Sequence, residues 1–236
     1  MADYGRYRIE LASEWSLEDL YVFPRAFEQV YFFFASLDKD LDDIDREKLE
    51  NAYKAFPWQG GYSAVSFFNQ LKYTTPRRKR PNIIAIHKAS PGYFDLGLWI
   101  TTAISLAVLV KNISVAIDAV NTTYSNVYKG MQERQLLKLR VKREALEFNR
   151  KDMEFIISSS QEMAKILGFT SPAALNDLTG SPYLTVKILL SVYRRVRTLA
   201  EYENKGKAHL SEVELPLPVP PAQRRGQRQT KTRSKK

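Results

Sequence analysis

Residues 96–110, LGLWITTAISLAVLV, run for fifteen positions without a charged side chain, between Asp95 and Lys111. A charge-free run of this length must be removed from water, in a protein core or in a bilayer. A bilayer span takes about 20 apolar residues. Ile113, Val115 and Ile117 extend the apolar character far enough to keep that reading open over 96–117. Thr101, Thr102 and Ser105 lower its hydrophobicity and favour the central helix of a bundle. Leu96, Trp99, Ile100, Leu106 and Leu109 mark the segment under either reading.

The rest of the chain supplies neighbours for such a helix. Tyr7, Ile9 and Leu11 alternate with Arg6, Arg8 and Glu10, the period of a half-buried strand. Ser16 offers an N-cap with Asp19 in the first turn, opening an apolar-periodic helix that Pro24 should kink or interrupt. A short helix is expected over 44–56. Val65, Phe67, Leu71 and Tyr73 suggest a second strand and residues 83–89 a third, the two joined as a hairpin. Beyond Ser90-Pro91-Gly92 the pattern is helical almost to residue 208. One helix is expected from near Asp95, and a long one from about Tyr124 to Leu167, ending at Gly168 as its C′ residue. Ser171-Pro172 and Ser181-Pro182 each read as an N-cap followed by proline at N1.

The fold expected is α+β and predominantly α. An N-terminal β-α-β-β unit over 1–92 packs with a helical bundle over 93–208, followed by a disordered tail over 209–236. In the long helix Leu136, Leu139, Leu146, Met153 and Ile157 keep heptad-like spacing. Leu137, Val141, Phe148 and Phe155 form a second stripe, as a helix sandwiched within the chain or in a coiled-coil assembly requires.

The net charge of +10 is largely a property of the tail. Arg224, Arg225, Arg228, Lys231, Arg233, Lys235 and Lys236 carry seven of those charges, leaving +3 for the remainder. Pro216, Pro218, Pro220 and Pro221 precede them as an extended spacer. Such a tail attracts phosphates or an anionic membrane surface without sequence preference, or simply aids solubility. Arg77, Arg78, Lys79 and Arg80 form a second basic run that would serve nucleic-acid binding together with the tail.

Catalytic chemistry finds little to use. There is no cysteine, so disulfides and thiolate metal sites are excluded. His87 and His209 are the only histidines and stand far apart. No phosphate-binding loop, dinucleotide fingerprint, nucleophile elbow or zincin motif occurs. The acidic run from Asp38 fails as a calcium loop, because its sixth position is Asp43 and its twelfth Leu49. The expectation is a non-catalytic interaction or assembly protein without cofactor, metal or small-molecule substrate. Apolar helical surfaces would serve self-association or a protein partner, and the tail would act as an electrostatic anchor. The start of the chain lacks a secretory signal pattern, so the cytoplasm is expected, with the membrane as the alternative.

Overall fold

The computed structural model describes residues 4–12, 14–37, 43–54, 60–89, 91–138 and 148–211. It is an α+β structure dominated by helices. The strands are β1 (Tyr4–Leu11), β2 (Asn82–His87), β3 (Gly92–Trp99) and β4 (Ala208–Leu210). Between β1 and β2 lie α1 (Leu17–Ala35), α2 (Asp43–Lys54) and α3 (Gly60–Thr74). Between β3 and β4 lie α4 (Ile100–Val115), α5 (Ile117–Glu133), α6 (Arg150–Ile166), α7 (Ala173–Thr179) and α8 (Pro182–Asn204). The antiparallel sheet has the order β2-β3-β1-β4, the split β-α-β arrangement in which each helical excursion returns to the far side of a neighbour. Segments on both sides of residue 92 therefore share one sheet.

β1 follows its alternation: Tyr7, Ile9 and Leu11 are buried, while Arg6, Arg8 and Glu10 face outward. Phe94, Leu96 and Leu98 on β3 extend the same inner face, with Ile9 opposite Phe94 and Tyr7 opposite Leu96. The helices cover that face. α8 is the central one, packed against α1, α4 and α6 and buried along most of its length.

The start of α1 is fixed by a capping box. Ser16 Oγ accepts from the Asp19 backbone N–H at 3.1 Å, and Asp19 Oδ2 accepts from the Ser16 N–H at 2.8 Å. α1 is not interrupted at Pro24 and runs on to Ala35. α6 ends as expected, with Gly168 left-handed at φ 81° and the Phe169 N–H donating to the Ala164 carbonyl at 2.9 Å. Pro182 opens α8 at its first turn; Pro172, by contrast, is itself the N-cap position of α7. Trp15 joins the two halves, edge-on to Phe23 and Phe94, with its indole N–H donating to the Lys207 carbonyl at 2.9 Å.

Several expectations need correction. Residues 65–73 are helical, not a strand: Ala64, Phe67, Phe68 and Leu71 recur at helical spacing and are buried, while Tyr73 is exposed. β2 therefore pairs with β3, with an irregularity between Ile83 and Ala85. The helix expected from Asp95 begins only at Ile100, because the strand alternation of Phe94, Leu96 and Leu98 carries into the uncharged run. The long helix from Tyr124 is also divided. α5 stops at Glu133, Gln135 takes a left-handed φ of 56°, and a short 3-10 turn covers Leu136–Lys138 before α6. Of the heptad stripe, Leu136 is buried, Met153 half-buried and Ile157 exposed, while Leu139 and Leu146 lie outside the described residues. The buried positions of α6 are Ile156, Ser159, Ser160, Met163 and Ala164. His209 and Leu210, read as the start of the tail, form β4 against Glu10 and Ile9.

Candidate docking groove and the charged surfaces around it

β2 is an edge strand, and among the described residues nothing pairs with its outer side. Its inward-facing Ile83 and Ile86 are 66% and 60% exposed. The space beside them is a groove of about 690 Å³. Phe23, Phe27 and Phe94 form its floor, and Leu20, Ile83 and Ile86 its rim. A 2.6 Å ion pair between Lys72 of α3 and Glu28 of α1 stands in its wall. Apolar side chains with an open strand edge can receive another extended chain: backbone groups would pair while alternate side chains fill the groove. The titratable side chains of the lining are Tyr21, Arg25, Glu28 and Lys72, of which Arg25 donates to Tyr21 and Lys72 pairs with Glu28.

The opposite face of the sheet is charged and self-satisfied. The Asp95 carboxylate is fully buried there beneath Arg6 and Arg8. Arg8 Nε donates to its Oδ1 at 2.8 Å and Nη2 to Oδ2 at 2.9 Å, while Arg6 Nε donates to Oδ2 at 3.0 Å. Burial alone would raise the pKa of Asp95. The hydrogen bonds and charges of Arg8 and Arg6 outweigh it and hold the group below the usual carboxylate range. The Arg8 guanidinium lies 3.8 Å from the centre of the Tyr93 ring, which stacks at 5.0 Å with His87. His209, at the other edge, is held by Glu203 at 2.5 Å. Among the described residues no group of three or more metal-ligating acids or histidines comes together.

The basic run at 77–80 does not present one cationic face. Arg77 is exposed, but Lys79 is buried at 3% exposure with its ammonium 4.8 Å from the centre of the Trp99 ring. Arg80 is turned onto the chain, its Nε donating to the Thr75 carbonyl at 2.9 Å and Nη2 to that of Tyr73 at 3.0 Å. The side chain of Arg78 lies outside the described residues, as do Arg224, Arg225, Arg228, Lys231, Arg233, Lys235, Lys236 and the acidic run 38–42.

Of the uncharged segment, Leu96 and Trp99 belong to β3, whereas Ile100, Leu106 and Leu109 are buried in α4, which packs on α8. Among the described residues no single helix is long and apolar enough to cross a membrane. α4 and α5 together meet that length but are bent by 91°.

Sequence reasoning missed the groove. Ile83 and Ile86 were legible as strand residues, yet their exposure at the sheet edge is a tertiary property. Comparison with protein-family models, curated proteins and solved structures finds no match to this chain.

Proposed function

We propose that the protein is a non-catalytic assembly module that associates with a second copy of itself through the groove and open edge of β2. The observation that carries this reading is the exposure of Ile83 and Ile86 on an unpaired edge strand. Soluble proteins usually protect such an edge with charge, proline or a covering element. A six-residue edge strand is self-complementary when two copies run antiparallel, because the same groups meet across a two-fold axis. Pairing would cover the isoleucines of both copies at once. The seven cations of residues 224–236 would add salt-sensitive attraction to an anionic partner, separate from assembly. Deleting residues 222–236 would then weaken binding to anionic vesicles or nucleic acid while leaving association intact.

The absence of cysteine makes a direct test available. Ile84→Cys places a thiol in the middle of β2, and Ser158→Cys places one on the exposed side of α6. Mild oxidation should link copies carrying the first and not the second. Equal crosslinking at both positions, or none at Ile84→Cys, contradicts the reading.

A further inference from the structure

Adjoining the groove, and sharing Tyr21, Arg25 and Gln29 of α1 with it, a second cleft opens against α3 and α8. Arg25 of α1 meets Arg194 and Arg195 of α8 there, with Gln29 and Thr198 beside them and no carboxylate in the lining. Its volume is about 430 Å³. The guanidiniums are held in place by neutral partners. Arg195 lies with its Cζ 4.4 Å from the centre of the Phe68 ring; its Nε donates to Gln29 Oε1 at 2.8 Å and its Nη1 to the Ser191 carbonyl at 2.9 Å. Gln29 is itself buried at 7% exposure. Arg194 Nη2 donates to Ser191 Oγ at 3.1 Å, and Arg25 donates to the hydroxyl of Tyr21. Among the described residues none of the three forms an ion pair.

Like charges gathered in a partly desolvated cleft repel one another, and an anion placed between them removes that repulsion. Burial, followed by the charges of Arg194 and Arg25, pushes Arg195 down to about 10. Guanidinium groups match the oxygens of a phosphate through paired N–H donors, which an ammonium cannot do. The bonds to Gln29 and Ser191 occupy Nε and Nη1 of Arg195 and leave its Nη2 for such a ligand.

We propose that this cleft binds a phosphate group, either inorganic phosphate or a phosphate monoester, between Arg25, Arg194 and Arg195. Tyr21, 62% exposed at the rim, is placed to lie against whatever the phosphate carries. The cleft shares Tyr21, Arg25 and Gln29 with the groove but takes no residue from β2, so Ile83→Glu/Ile86→Glu tests assembly while Arg194→Gln tests the phosphate site.

Calorimetric titration of the full chain with inorganic phosphate and with adenosine monophosphate, at fixed ionic strength in chloride, tests the site. Saturable binding is expected, weakened at least about tenfold in Arg25→Gln/Arg194→Gln, since each charged hydrogen bond contributes on that order. Arg194→Gln alone, a change at an exposed side chain, should weaken it in the same direction if the double variant folds poorly. Arg224→Gln/Arg225→Gln in the tail should leave it unchanged. Tighter binding of the monoester assigns the site to an organic phosphate, and equal binding assigns it to free phosphate. No saturable binding of either ligand, or equal affinity in the wild type and the Arg25→Gln/Arg194→Gln variant, overturns the proposal.

Discussion

Arg8 and Asp95 face each other directly across β1 and β3, and the arginine donates to both carboxylate oxygens, at 2.8 and 2.9 Å. Arg6 donates to the same carboxylate at Oδ2, so a fully buried charge on the outward face of a sheet is shielded by two arginine stems. Asp95→Ala would leave two guanidiniums without their shared partner. Both are partly exposed and can turn to water, so the cost is about 2 kcal/mol, below that of breaking a wholly buried pair. For a chain of this size that is roughly 4–8 °C in Tm. Scanning calorimetry reads it directly, and an unchanged Tm would show that the pair contributes nothing net.

Asp19 ties the start of α1 to the end of α8. Its carboxylate accepts from Lys207 Nζ, the Ser16 N–H and the Tyr202 hydroxyl, each at 2.8 Å. The bond from Lys207, then those from Ser16 and Tyr202, hold its pKa well below the ordinary carboxylate range. A depressed folded-state pKa contributes stability above the unfolded value of about 4, and that stability is lost as pH falls through the folded value. Tm should therefore drop steeply with acid below about pH 4. Asp19→Asn should start from a lower Tm at neutral pH and fall less steeply. Parallel pH profiles for the two proteins would contradict this account.

Gly130 sets how closely α5 approaches α6. A Cβ there would stand 2.5 and 2.7 Å from ring atoms of Phe155. Gly130→Ala gains about 1 kcal/mol of helix propensity, but the overlap costs about 1–3 kcal/mol, so a net loss is expected. Phe155→Leu in the same chain should recover part of it. A more stable Gly130→Ala in urea unfolding would mean that the ring moves aside freely.

Ile83 and Ile86 contribute little to the fold of a single copy. Ile86→Glu should change the unfolding free energy of the monomer by no more than about 0.5 kcal/mol, whereas Ile9→Ala on the inner face of β1 should cost about 2–5 kcal/mol. Urea titration at low protein concentration separates the two. A large loss for Ile86→Glu would place that side chain in the core.

Where one local signal acted alone, the sequence was readable. The alternation through Tyr7, Ile9 and Leu11, the Ser16–Asp19 box and the left-handed Gly168 each appear as expected. Where two signals overlapped, tertiary packing decided. Phe67 and Leu71 fit a strand on one reading and a helix on another, and burial of Ala64 and Phe68 beside them selects the helix. The uncharged run hides a strand-to-helix junction at Trp99–Ile100, since both elements are buried and neither needs a charge. Asp95 looked like a helix start because its arginine partners lie 89 and 87 residues away in sequence. β4, three residues long, is shorter than any periodic pattern can reveal. The groove and the three-arginine cleft are products of assembly: each draws on elements separated by dozens of residues or more.

Sedimentation velocity of the wild-type chain beside Ile83→Glu/Ile86→Glu, over a range of concentrations, tests assembly through β2 most directly. The account predicts a concentration-dependent dimer for the wild type and a folded monomer for the variant. A wild-type chain that stays monomeric at the highest concentration, or a variant that dimerises equally well, would contradict it.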